Sequence, residues 1–235
     1  MRAAAGWRRA ATVVGLAMEA SGRAVYSRAE RLSDAAVHVA GVTLGLLAAP
    51  VIVTLAAVWD GAGRHLVATT VYGFCLVAML ACSAAYHMTP APGWKDRLRR
   101  LDQSAIYLKI AGTYTPFAVM TGSQAMPFLV GLWAAAAAGV SLKLLTARQL
   151  FGLTVALYLA MGWAAVLVGG PVLDRMTPEG YHLVVTAGSL YTVGVVFLCW
   201  DRLPFHTTIW HVFVLAASLT VYAAMVIELR GVAAA

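Results

Sequence analysis

Two distant stretches of the chain hold side chains that could do chemistry together. In SAAYH, Ser83 and His87 are four residues apart and share a face if that stretch is helical. Asp102 follows a basic loop carrying Arg97, Arg99 and Arg100, and FHTTIWH at 205–211 contributes His206 and His211. Imidazoles beside a carboxylate are the makings of a catalytic zinc centre, which uses three protein ligands and leaves a fourth position for water. His87 and His211 would supply two ligands. Asp102 would hold the water and take its proton. Ser83, one turn from His87, would hydrogen-bond a ligand or the water. Taken singly, each histidine also reads as an interfacial polar residue with ordinary hydrogen bonds.

The elements that must bring these residues together are apolar. The chain has 235 residues, 61% of them hydrophobic and only 11% charged, the composition of a polytopic membrane protein. Seven apolar runs follow one another: 35–58, 66–87, 101–120, 126–142, 150–168, 181–200 and 207–229. Each is near the ~20 residues a spanning helix needs. The joints are short and carry turn residues, as in DGAGR at 60–64, TPAPG at 89–93, GGP at 169–171 and DRLP at 201–204. The expected fold is all-α, with seven transmembrane helices over 34–230 after a basic cytoplasmic segment at 1–33.

Charge sets the expected orientation. With the N-terminus inside, thirteen Lys or Arg fall in inner segments and three, Arg64, Arg175 and Arg230, in outer ones, with Lys109 inside a span. That bias places the N-terminus in the cytoplasm and the C-terminus outside. It also sorts the histidines. His38, His87, His206 and His211 fall at cytoplasmic helix ends, whereas His65 and His182 fall ~30 Å away at the outer face. The basic N-terminal stretch reads as an amphipathic helix on anionic lipid or a basic tail. The net charge of +7 does not imply nucleic acid, because the basic residues lie between apolar runs rather than in one basic domain. Cys75, Cys82 and Cys199 lie inside apolar runs and read as small buried hydrophobes. No glycine-rich dinucleotide or phosphate loop is present.

The stretch RLDQSAIYLKIAGTYTPF at 100–117 resembles the signature of the hemolysin III family, within the larger group that contains the progestin and adiponectin receptors. ERLSDAAVHVAG at 30–41 resembles that family's first helix, with an acidic residue and a histidine, and SAAYH at 83–87 fits its SxxxH motif. YLAMGW at 158–163, YTVGVVF at 191–197 and IWHVFVLAAS at 209–218 resemble its fifth, sixth and seventh helices. The resemblance runs in order over about residues 30 to 228. It implies a seven-helix fold with a zinc near the cytoplasmic face, ligands at His87 and His211, and Ser83 and Asp102 beside them.

One departure matters. The family's seventh helix reads HxxxH, but Thr207 stands four before His211 and His206 stands five before. Residues five apart on a helix diverge by ~140°, against ~40° for four apart. His206 therefore joins the metal only if it precedes the helix, and His38 is the other candidate third ligand. Lys109, inside the third span, is expected to snorkel toward the cytoplasmic interface, with a cation steadying Asp102 or a substrate oxygen as the alternative. Pro116 is expected to kink that span, and Gly112, Gly162, Gly188 and Gly194 to allow close helix packing. The resemblance implies a zinc-dependent hydrolase of a lipid amide in the cell membrane, with membrane lipid as partner and substrate. The alternative is a non-enzymatic homeostasis, signalling or pore-forming protein with a structural metal.

Overall fold

The computed structural model of the protein describes residues 26–60, 63–145 and 150–233. The expected amphipathic helix in the first 25 residues lies outside them. The described residues form helices and no strands: α1 (Arg28–Asp60), α2 (Arg64–Met88), α3 (Pro92–Thr121), α4 (Met126–Leu145), α5 (Phe151–Gly162), α6 (Ala164–Val168), α7 (Gly170–Leu173), α8 (Pro178–Cys199) and α9 (His206–Ala233). A single 3₁₀ turn, Ser123–Ala125, joins α3 to α4. Helix α1 packs on α2, α2 on α3, α3 on α4, and α8 on α9, which returns to α1.

Five of these segments are long and apolar enough to cross a membrane: α1, α2, α4 with its 3₁₀ turn, α8 and α9. Helix α3 is the polar member, and it sits in the middle, touching α2, α4, α5 and α9. Ser104, Lys109 and Thr115 are buried along it, where neighbouring helices rather than lipid surround them. The outer faces are the reverse. Val58, Phe74, Leu145 and Leu167 are each at least 70% exposed, a cost in water and none in hydrocarbon.

Two expectations about the elements need correction. The basic stretch before Asp102 is helix, not loop. Pro92 starts α3 at a position where its missing N–H costs nothing, and Lys, Arg and Leu are strong helix formers. Arg99 pairs with Asp96 at 2.7 Å one turn back. Arg100 donates to the carbonyls of Lys143 and Leu144 at 3.2 and 2.9 Å, capping the end of α4. Asp102 thus sits three turns into its helix. The fifth apolar run is broken as well. The chain turns at Trp163, the Gly162 carbonyl is taken by the Tyr114 hydroxyl, and the Trp163 indole donates to Thr192 at 3.0 Å.

Close helix approach is carried by glycine at two of the four positions expected. A Cβ at Gly112 would lie 2.8 Å from Cys75, and one at Gly194 would lie 2.9 Å from Phe213. Gly188 meets the Trp163 ring at 3.3 Å, and Gly162 faces open space. The three cysteines are free thiols.

Candidate metal centre

The starts of α1 and α9 are tied together by a short polar seam. Ser27 and Glu30 form a reciprocal cap on α1: the Glu30 amide donates to the Ser27 hydroxyl at 3.1 Å and the Ser27 amide to Glu30 Oε2 at 2.7 Å. The other Glu30 oxygen accepts from the Phe205 amide at 3.0 Å. Ser33 and Thr208 hydroxyls meet at 3.1 Å, and the Tyr26 hydroxyl reaches Thr207 at 3.0 Å. Phe205 has φ 61°, a left-handed conformation that a bulky residue rarely adopts. Its carbonyl accepts the Ile209 amide at 2.9 Å, so α9 begins at His206 itself.

That seam delivers Asp34 and His38 to His211. Asp34 and His38 are one turn apart on α1 and share its inner face. His87 arrives from the last turn of α2. The end of α2 is held by Lys95, which donates to the Tyr86 carbonyl and lies 4.9 Å over the Tyr86 ring. Three imidazoles then converge on one carboxylate. His211 Nδ1 lies 2.7 Å from Asp34 Oδ1; His87 Nδ1 and His38 Nε2 lie 3.0 and 3.5 Å from Asp34 Oδ2. The rings stand 4.3–4.9 Å apart, centre to centre. One ligating atom from each of the four residues lies within 4.8 Å of the others.

The group suits a metal ion. Zinc donors at ~2.0–2.1 Å need to be a little over 3 Å apart, so small side-chain rotations close this set around one ion. His38 Nε2 is buried and, 3.5 Å from Asp34 Oδ2, makes no well-formed hydrogen bond, so it is open to a closer partner. The donor set, three imidazoles and one carboxylate, is one that zinc and other divalent metals accept.

Of the residues expected at the centre, the structure brings His87 and His211 into this group and leaves His206 outside it. His206 is the first residue of α9, five before His211, so it points round the helix. It stacks on Tyr26 at 5.8 Å between ring centres and accepts or donates at 3.1 Å to the Tyr26 hydroxyl. His38 takes the third place in its stead. Asp102 and Ser83 are not among the four, but they stand together beside them. Ser83 and Asp102 line the cavity together with His87 and His211. His65, at the far end of α2, is about 33 Å from His87 at 1.5 Å per residue.

Asp34 lies in ERLSDAAVHVAG but is not among the residues expected at the centre. The signal that marks it is its four-residue spacing to His38, the spacing that Ser83 and His87 also show. Lys109 also departs from expectation. It is 5% exposed, and its ammonium does not snorkel but bonds the Tyr191 hydroxyl inside the bundle.

The group opens on a cavity of about 330 Å³, within the range of small-ligand sites. His87, His211, Ser83 and Asp102 line its one end, whereas Asp34 and His38 lie behind. Deeper, the wall is mostly apolar, with Ile106, Ile110 and Phe117 from α3. Long apolar helices with polar residues turned inward, built around a buried His–Asp group, define a multi-pass membrane protein with a metal-competent centre. Residues 27–222 match the haemolysin-III related family, and the chain belongs to that family. It is 33% identical over 195 residues to the Hemolysin-3 homolog of Bacillus subtilis (strain 168), covering 82% of this chain and 91% of that protein. It is 34% identical over 195 residues to Hemolysin-3 of Bacillus cereus, covering 82% and 89%. It is also 30% identical over 166 residues to the human monocyte to macrophage differentiation factor, covering 66% and 67%.

Proposed function

We propose that the protein is a zinc-dependent hydrolase of a lipid amide, its zinc held by His38, His87 and His211. The observation that supports this reading is the meeting of the His group, Asp102 and an apolar cavity at one point. When bound, zinc would supply Lewis acidity toward a carbonyl and toward water. Asp34 would orient the imidazoles, since its two oxygens already face His211 and His87. Ser83, on the same cavity wall as Asp102, would hold its carboxyl, and Asp102 would take a proton from the attacking water and pass it to the departing nitrogen. The amide C–N bond breaks, and the acyl part leaves as a carboxylic acid and the rest as an amine. The apolar wall beyond Asp102 would take the acyl chain.

Asp34 favours a second reading. Counted as a ligand, it makes four protein donors, the number of a closed structural zinc site. The membrane protein would then be non-enzymatic, with the metal tying α1, α2 and α9 together.

Metal analysis and turnover on one preparation separate these readings. The purified protein is expected to carry one zinc per chain and to release fatty acid from an N-acyl lipid in mixed micelles. Asp102→Asn is expected to keep its zinc and lose turnover by at least ~100-fold, the scale of a general base. Zinc without turnover in the wild type would select the structural reading, and equal zinc in wild type and His211→Ala would sink both.

A further inference from the structure

Among the described residues, Lys109 is the one Lys or Arg in the cavity wall, and nothing in the proposed chemistry uses its charge. Its ammonium bonds the Tyr191 hydroxyl of α8 and lies 4.4 Å from the centre of that ring. The Tyr191 hydroxyl in turn meets Ser218 Oγ of α9 at 2.8 Å. These contacts offset part of the cost of burying a charge, but a phenol and a hydroxyl are neutral. Among the described residues no carboxylate pairs with Lys109. A buried ammonium without a counter-charge is costly, and ionisable groups inside membrane helices face cavities and mark ligand paths. Two of its three N–H groups remain for another acceptor.

Position gives the scale. Lys109 is two turns beyond Asp102 on α3, and Ser218 is two turns beyond His211 on α9. Both helices run the same way from the His group, so the Lys109 cluster lies about 10 Å deeper along the cavity. Ile106 and Val214 face the space between, beside Thr154 and Tyr158, whose hydroxyls are taken up by the Leu150 and Gln103 carbonyls. The cavity therefore has a charged anchor at each end of a mainly apolar stretch.

We propose that Lys109 is the counter-charge for an acidic group on the ligand. The cavity takes an amphiphile with two polar ends, one at the His group and an ionised carboxylate at Lys109, joined by a saturated chain. A span of about 10 Å corresponds to about eight extended methylenes. This inference rests on reading the cavity as a lipid site beside the metal centre, and it narrows the acyl chain to one that carries a carboxylate at its far end.

The test is direct binding of decanedioate and decanoate to the purified, detergent-solubilised protein, with zinc content measured on the same samples. The second carboxylate should tighten binding by about 10- to 100-fold in the wild type, the worth of a hydrogen bond to a charged group. In Lys109→Met the order should invert, because the same carboxylate is then buried without a partner. Decanedioate binding no tighter than decanoate in the wild type overturns the proposal without recourse to any variant. A protein that lacks zinc yet prefers decanedioate keeps the lysine anchor and sinks the hydrolase. A zinc-loaded protein with no preference does the reverse.

Discussion

At the scale of single residues, the centre turns on which histidine is third. His206 and His38 are chemically equal candidates, and only direction separates them. Because α9 begins at His206, that ring is ~140° from His211 and rests on Tyr26. His38→Ala, His87→Ala and His211→Ala should each abolish zinc binding, whereas His206→Ala and His65→Ala should leave about one zinc per chain. Thr207→His restores a four-residue spacing but adds a ring where Thr207 now meets Tyr26, so it should change zinc affinity less than ~10-fold. A rise of ~10–100-fold, the size of effect that even outer hydrogen-bond partners produce, would return the third place to the start of α9. Asp34→Asn keeps shape but not charge and should weaken zinc by ~10–100-fold, read by competition with a chelator.

At the scale of elements, the metal-competent group is only as good as the seam between α1 and α9. Glu30 caps α1 and accepts the Phe205 amide, so one side chain sets both the start of α1 and the left-handed turn before α9. Glu30→Ala removes no ligand, yet it should lower zinc affinity by ~10–100-fold, because it frees the helices that carry Asp34, His38 and His211. Unchanged affinity in that variant would mean that the Ser33–Thr208 and Tyr26–Thr207 contacts and helix packing align the helices without Glu30. The α2–α3 contact offers a separate check. A methyl at Gly112 would meet Cys75 at 2.8 Å, both its Cβ and its sulfur. Gly112→Ala should therefore cost about 1–3 kcal/mol through overpacking, seen as a lower melting temperature in detergent.

At the scale of the whole molecule, the arrangement follows from a solvent that cannot hydrogen-bond. Large aliphatic and aromatic side chains cover the outside, and polar groups turn inward to meet one another, as Glu228 does with the Thr177 amide and hydroxyl at 3.0 and 2.7 Å. Thirteen basic residues in one set of connections against three in the other predict that reporters fused at Gly6 and at Ala235 read from opposite sides of the membrane. Reporters reading from the same side would mean an even number of crossings, and the broken stretch α5–α6 is where the count would change. At 12 residues, α5 alone is shorter than the ~20 a crossing needs.

Composition and run length determined the class of fold, because hydrocarbon accepts few backbone solutions and helices of this length are one of them. Helix direction and depth determined that His38, His87, His206, His211 and Asp102 belong to one end, since depth is counted along the chain at 1.5 Å per residue. Rotation about each helix axis is a different quantity, and it is set by contacts that sequence position does not reveal. The φ of Phe205 fixed where α9 starts and turned His206 away. The Glu30 seam turned Asp34 and His38 inward to face His87 and His211. Lys109 looked free to snorkel because its partner, Tyr191, lies 82 residues on and on another helix. The tertiary structure alone decided those three points, because each depends on which faces of distant helices meet.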